Sequence, residues 1–204
     1  MRTIVSNTYR LVRRTARSIK LHALWQKQHP CAQLLAFSAH AAITRSLTAE
    51  ELGTALGISG AYQAAALRLN GLGTLTCLDG SAELCRIAKR NWQELGLDNV
   101  DTVVGPFEVT LDAQLEDKGP VDYVFIDGHH DRQATIDYFE RIAPRLARED
   151  LLVFDDIRWS EGMQLAWKAI ERDPRVKVSM DFGTLGVCVM GEVQSSPPWR
   201  LNLN

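Results

Sequence analysis

VDYVFIDGHHD (Val121–Asp131) and LLVFDD (Leu151–Asp156) are two short apolar runs, each closing on carboxylates. Runs rich in Val, Ile, Phe and Leu, with a helical segment between them, are what parallel strands buried on both faces look like. The pair reads as a βαβ unit. In an open parallel sheet the ligand crevice lies outside the carboxyl ends of the strands, where Asp127, His129, His130, Asp155 and Asp156 emerge. Three hard oxygen donors there suit Mg²⁺ or Ca²⁺, and an imidazole can act as a general base near neutral pH. An Asp at a strand end is also a common turn former or helix N-cap, and each of these residues is weighed against that plainer role.

Upstream, ELGTALG (Glu51–Gly57) leads into an Ala-rich helix predicted over Ile58–Leu69. Two readings of this passage compete. Glycines between a strand and a helix let the backbone approach a nucleotide cofactor. The rival is a helix-turn-helix, because LTAEELGTALGIS (Leu47–Ser59) has the rhythm of two short helices about a Gly turn. Its second helix offers little beyond Gln63 and Arg68 to touch bases or phosphates, which makes a poor DNA reader. Thr48-Ala49-Glu50-Glu51 is polar, so a strand at that point is expected to be short.

GTLTCLD (Gly73–Asp79) alternates like a strand and ends in an acid placed to accept hydrogen bonds from ribose hydroxyls. A helix follows over Ala82–Leu95, with Leu84, Ile87, Ala88, Asn91, Trp92 and Leu95 on one face, then a strand VDTVVG (Val100–Gly105) and an amphipathic stretch near Val109–Glu116. Ile136, Phe139, Ala143 and Leu146 make a further helix face; Met163, Ala166, Trp167 and Ile170 make another. Val176–Phe182 and Gly186–Met190 read as an antiparallel hairpin closing the sheet. The expected fold is therefore α/β: a Rossmann-like, doubly wound, mainly parallel seven-stranded sheet with an antiparallel last strand, preceded by N-terminal helices. Residues 1–47 form the helical segment, 48–193 the domain, and 194–204 a surface tail marked by Pro197-Pro198.

A chain of 204 residues with 46% hydrophobic and 24% charged side chains can build one sizeable core and is not disordered. The four cysteines include no CxxC pair, which argues against a zinc site and fits reduced thiols in a cytoplasmic protein. No run approaches the roughly 18 apolar residues of a membrane span. Residues 1–49 hold eight Lys/Arg and no acid, so the remaining 15 basic and 25 acidic side chains leave the rest of the chain at −10. From Ser6 to Gln28, Leu11, Val12, Ala16, Ile19, Ala23 and Leu24 recur at helical spacing among Arg10, Arg13, Arg14, Arg17 and Lys20. This basic amphipathic helix can pack on the domain, or attract anionic membrane or nucleic acid.

The order of elements resembles the class I S-adenosylmethionine-dependent methyltransferases, from about Glu50 to Met190. Several motifs resemble the metal-dependent O-methyltransferase branch, the catechol, caffeoyl-coenzyme A and sugar type. The resemblance implies that Glu51, Gly53 and Gly57, with Ser59, hold the methionine part of S-adenosyl-L-methionine, and that Asp79 binds its ribose. It implies Asp127, Asp155 and Asp156 as ligands of Mg²⁺ or another divalent cation, with Asp127 also beside the cofactor. His130 stands where catechol-type members carry a Lys base, and His129 is the neighbouring candidate. DDIRWSEG (Asp155–Gly162) looks like the family's D-N-x-x-W-x-G. Two departures have consequences: Ala55 stands where many members have glycine, and Gly105-Pro106-Phe107 replaces an Asp near the adenine, which offers Phe107 to the ring instead. The expected partners are a small-molecule acceptor and a second copy of the chain. The competing functions are a metal-independent methyltransferase acting on a substrate such as RNA, and a non-catalytic homologue serving as a binding module.

Overall fold

The computed structural model describes residues 48–69, 73–118, 120–191 and 198–202. The basic N-terminal segment, 1–47, lies outside the described residues. In chain order the elements are β1 (Thr48–Leu52), α1 (Ile58–Leu69), β2 (Thr74–Asp79), α2 (Ala82–Glu94), β3 (Val100–Val104), α3 (Phe107–Lys118), β4 (Val121–Ile126), α4 (Arg132–Ile142), a 3₁₀ turn (Ala143–Arg145), β5 (Leu146–Phe154), α5 (Glu161–Ile170), β6 (Val176–Asp181), β7 (Gly186–Met190) and β8 (Trp199–Asn202). No helix among the described residues is long and apolar enough to cross a membrane.

The strands form one sheet in the order β3-β2-β1-β4-β5-β7-β6-β8. The first five run parallel, and β7 is antiparallel to both β5 and β6. From β1 the chain winds outward to β3, then returns to lay β4 on the other side of β1. That reversal opens a crevice at the carboxyl ends of β1 and β4.

The polar first strand is neither short nor peripheral. Glu51 pairs with Cys77 of β2 on one flank and Phe125 of β4 on the other, and both Glu50 and Glu51 are fully buried. Two complete ladders and helices over both faces outweigh the poor strand preference of glutamate, because strand propensity is mostly a matter of context. Burial pushes both carboxyls up to about 7. The helix-turn-helix reading fails here, since residues 48–52 are sheet.

The sheet separates two apolar layers. One holds Ala64 and Leu67 of α1 and Ala88 and Trp92 of α2 against Leu75, Cys77 and Phe125. The other holds Leu111 of α3, Phe139 of α4 and Trp167 of α5 against Leu78, Val124 and Phe154. Burying so much aromatic and aliphatic surface is the main favourable term in holding the layers together. On α2 the buried stripe is Cys85, Ala88 and Trp92, while Leu95, expected on that face, caps the helix and is 63% exposed. On α4 the stripe includes Tyr138, a position absent from the face read in the sequence.

Helix starts are fixed by side chains that satisfy the otherwise unpaired first amides. Ser81 accepts from the amide of Leu84, Asp131 from those of Gln133 and Ala134, and Ser160 from that of Met163. Asp131, the last residue of the first acidic stretch, thus takes the plain capping role. The sheet also has an eighth strand that the sequence reading left in a surface tail. Residues 199–202 add to β6 in parallel, pairing Val178 with Trp199 and Met180 with Leu201. Four residues after two prolines are too few to display a period, which is why the strand is not legible in advance.

Candidate active site

The first residue beyond each central strand continues the ladder of its neighbour. The amide of Gly53 donates to the carbonyl of Leu78, that of Asp127 to Leu52, and that of Asp155 to Ile126, at 2.8–2.9 Å. Gly53, Asp127 and Asp155 therefore stand side by side at one level at the mouth of the crevice. The approach is close enough to demand glycine: φ at Gly53 is +109°, and a Cβ there would lie 2.1 Å from the carbonyl oxygen of Asp127.

His130 faces the carboxylates. Its Nε2 lies 3.7 Å from Oδ1 of Asp127 and 3.9 Å from Oδ2 of Asp156. The ring centroid of Trp159 is 6.0 Å away, and Trp159 is 70% exposed. Burial, followed by the charges of Asp155, Glu51 and Asp156, pushes the Asp127 carboxyl up to about 8. Burial also raises Asp155, although its Oδ1 accepts from the amide of Asp156 at 2.8 Å. Like charges crowded in a half-buried space disfavour ionisation. His129 turns to the other wall of the same loop, where its Nδ1 meets the hydroxyl of Tyr138 and its ring lies 5.3 Å from that of Phe107.

Backbone geometry marks the same place. Among the described residues the non-glycine positions with positive φ are Ala55 (44°), His129 (63°), His130 (41°) and Asp156 (52°). All four lie in the loops after β1, β4 and β5, around one crevice. Left-handed backbone at non-glycine residues is costly, so where it clusters the surrounding structure must hold the loops in place.

The other residues singled out in the sequence fall on the β1 side. Glu51 lies beneath the turn, accepting from Nε2 of Gln63 at 3.0 Å and from Sγ of Cys77 at 2.9 Å, with the Ser59 hydroxyl beside it. Asp79 ties the turn to the end of β2: its Oδ2 accepts from the amide of Ala55 and its Oδ1 from that of Ser81. A carboxylate oxygen carries a second lone pair, so both oxygens keep acceptor capacity. Gly57 has a packing reason that the motif does not announce. A Cβ there would stand 2.7 Å from that of Ala88 and 2.8 Å from the Trp92 ring, and the Gly57 carbonyl accepts from Nε1 of Trp92 at 2.7 Å. Phe107 is 7% exposed and sits edge-on to Tyr138, in the second apolar layer, with the His129 loop above it.

Asp127, Asp155 and Asp156 suit a hard divalent cation by chemical type, and the like-charge crowding at Asp127 is of the kind a cation relieves. Among the described residues, however, no group of three or more His, Cys, Asp or Glu side chains is disposed to hold a metal ion. Residues that the sequence reading missed are Tyr138 and Glu108, which hold His129, and Arg158, whose guanidinium donates to both oxygens of Asp181 at 3.0 and 3.2 Å. Their signals are long-range contacts that no local period displays.

The profile of a family described as a methyltransferase domain matches residues 51–157, which spans the turn, the β4 loop and the β5 loop. Solved structures with a similar fold include an O-methyltransferase from Bacillus cereus in complex with SAH (20% identity, 88% of this chain and 90% of that one, TM-score 0.61). Another is the O-methyltransferase TomG from Streptomyces achromogenes, involved in tomaymycin synthesis, in complex with SAM (18% identity, 89% of each chain, TM-score 0.64). A third is an rRNA methylase from Streptococcus thermophilus (17% identity, 81% of this chain and 98% of that one, TM-score 0.63). No curated protein matches the sequence.

Proposed function

The chain belongs to the methyltransferase-domain family, and from that premise we propose that it is an S-adenosyl-L-methionine-dependent O-methyltransferase acting on a small hydroxylated acceptor. The observation that carries this reading is His130, its Nε2 within 3.7–3.9 Å of Asp127 and Asp156 at the crevice mouth beside the Gly53 turn.

The turn from Gly53 to Ser59 and the acid Asp79 bind the cofactor, with its methyl group toward Asp127. The acceptor's hydroxyl oxygen attacks that methyl carbon in line with the departing sulfur. An O–C bond forms, the C–S bond breaks, and the neutral thioether leaves with the bonding electrons. His130 accepts the hydroxyl proton at Nε2. Asp156, whose Oδ2 lies 3.9 Å from that nitrogen, favours the resulting imidazolium by charge. Trp159 offers an exposed face against which an acceptor can lie. Holding the oxygen and methyl carbon in line accounts for much of the rate in such a displacement. Asp127, Asp155 and Asp156 would have to draw together to hold a divalent cation, which would then supply Lewis acidity to the acceptor oxygen.

Isothermal titration with S-adenosylhomocysteine, with and without Mg²⁺, tests the reading. Binding in either condition is expected; the absence of heat in both would leave the binding-module alternative. A diol-containing probe such as 3,4-dihydroxybenzoate then tests the chemistry. Transfer should be lost in His130→Ala with S-adenosylhomocysteine affinity retained, and a cation requirement should appear as loss in EDTA and recovery with Mg²⁺.

A further inference from the structure

His129 and His130 are consecutive, both in left-handed backbone, and their side chains serve opposite walls of the β4–α4 loop. What separates them is visible. His129 is held by a group of side chains from α3 and α4: its Nδ1 meets the hydroxyl of Tyr138 and lies 3.8 Å from Oε1 of Glu108. The Tyr138 hydroxyl is also 3.5 Å from the same glutamate oxygen. The rings of His129 and Tyr138 stack at 5.9 Å and 27°, and Phe107 closes the cluster at 5.7 Å from Tyr138 in an edge-on contact. Tyr138 itself is 2% exposed. Its hydroxyl is therefore a fixed point, anchored in the core, to which the loop is fastened.

We propose that Tyr138, seconded by Glu108, is a positioning residue: by fastening His129 to the α3–α4 wall it turns His130 into the carboxylate crevice. The ends of the loop are fixed by the Asp127 amide on the Leu52 carbonyl and by Asp131 capping α4, and neither bond sets the direction of the two histidine side chains. The amide of His130 donates to the carbonyl of Gly128, a tight turn that leaves side-chain direction to the two left-handed φ values. Those values are unfavourable for non-glycine residues, so the conformation needs tertiary restraint, which the aromatic cluster supplies on the His129 side while Asp127, Asp156 and Trp159 flank the His130 ring. If the anchor is removed, His129 is free to swing inward and His130 outward. The proposal rests on the reading of His130 as the base, but its geometric content can be measured without turnover.

The test uses the full chain labelled with ¹⁵N-histidine, saturated with S-adenosylhomocysteine at one fixed pH, and long-range ¹H–¹⁵N spectra of the imidazoles. Assignment comes from His129→Gln and His130→Gln. In Tyr138→Phe, which keeps the ring and removes only the hydroxyl, the His129 nitrogen pattern should change and the His130 signals should move as well, with cofactor affinity within about twofold of wild type. A variant whose His130 signals coincide with wild type would overturn the proposal, because Tyr138 would then be holding His129 alone. If Tyr138→Phe does not fold, His129→Leu removes the same contact from the loop side: a displaced His130 supports the anchor, an unmoved one overturns it. Transfer to 3,4-dihydroxybenzoate separates the positioning of His130 from its role as base. Tyr138→Phe should lower kcat on the order of ten- to a hundredfold with little change in KM for S-adenosyl-L-methionine, the size expected of a misplaced group. Full activity in His130→Ala would remove the base assignment while leaving the spectroscopic result in force.

Discussion

At the scale of single residues the crevice is built from backbone that resists its own side chains. Ala55, with φ 44°, carries a Cβ in a turn where glycine would be unstrained. Left-handed backbone costs an L-residue roughly 1–2 kcal/mol, and glycine loses part of that advantage, about 0.4–1 kcal/mol, to a freer unfolded chain. Ala55→Gly should therefore raise the unfolding free energy by about 0.5–1 kcal/mol, measured by urea denaturation; a loss would mean that the methyl group makes a contact worth more than the strain. The same turn is tied to Asp79 through the Ala55 amide. Asp79→Asn keeps an oxygen for one of the two amides but halves the acceptor set, so S-adenosylhomocysteine should weaken by about 1–3 kcal/mol. Unchanged affinity would remove Asp79 from the ribose. Residue types and spacing in the sequence were enough to nominate Asp79, Asp127 and His130. They could not divide His129 from His130, because a single pair of dihedrals decides which neighbour faces inward, nor show that Gly57 is spared for the Trp92 ring.

At the scale of elements, the loop after β5 is fixed by the hairpin that follows it. The amide of Ile157 donates to Thr184, Arg158 grips both oxygens of Asp181, and Oδ1 of Asp181 also accepts from the amide of Gly183. The β6–β7 hairpin thus does more than close the sheet: it holds Asp156 and Trp159 at the crevice. Arg158 is half exposed, so Arg158→Ala should change stability by less than about 1 kcal/mol. Transfer to 3,4-dihydroxybenzoate should nevertheless fall while S-adenosylhomocysteine affinity holds, since the cofactor's proposed contacts lie on the β1 side. Equal loss of both would place Arg158 in general folding instead. Most elements from α1 to β7 were legible from their hydrophobic patterns, and α1 runs over Ile58–Leu69 as its pattern predicts. The helix α3 was read short because its apolar residues do not keep to one face, Val109 being exposed, and Leu146 opens β5 instead of closing a helix face. The exceptions were β1, whose glutamates hide a central strand, and β8, whose four residues take their identity from pairing with β6.

At the scale of the whole molecule, stability is tied to pH by a carboxyl that has no hydrogen-bond partner among the described residues. Glu50 is fully buried in the central strand, and neither of its oxygens has a hydrogen-bond partner among the described residues. An ionised carboxylate in that position is heavily penalised, so the group keeps its proton instead. Burial pushes it up to about 7 from an ordinary 4.5, with the Lys118 charge opposing. Between those two values the folded chain holds a proton that the unfolded chain has released. Unfolding free energy must then fall as pH rises from about 4.5 to about 7, and level off above. A displacement of that size corresponds to about 3 kcal/mol. Glu51 is raised similarly, so the wild-type slope alone cannot be assigned to Glu50. The difference between wild type and Glu50→Gln can, because glutamine keeps the volume and is neutral at every pH. Urea unfolding should find the two nearly equal at pH 4 and the variant more stable by about 3 kcal/mol at pH 8. A difference that is the same at both values would mean that Glu50 is ionised in the folded protein, held by a cation close enough to overcome its burial.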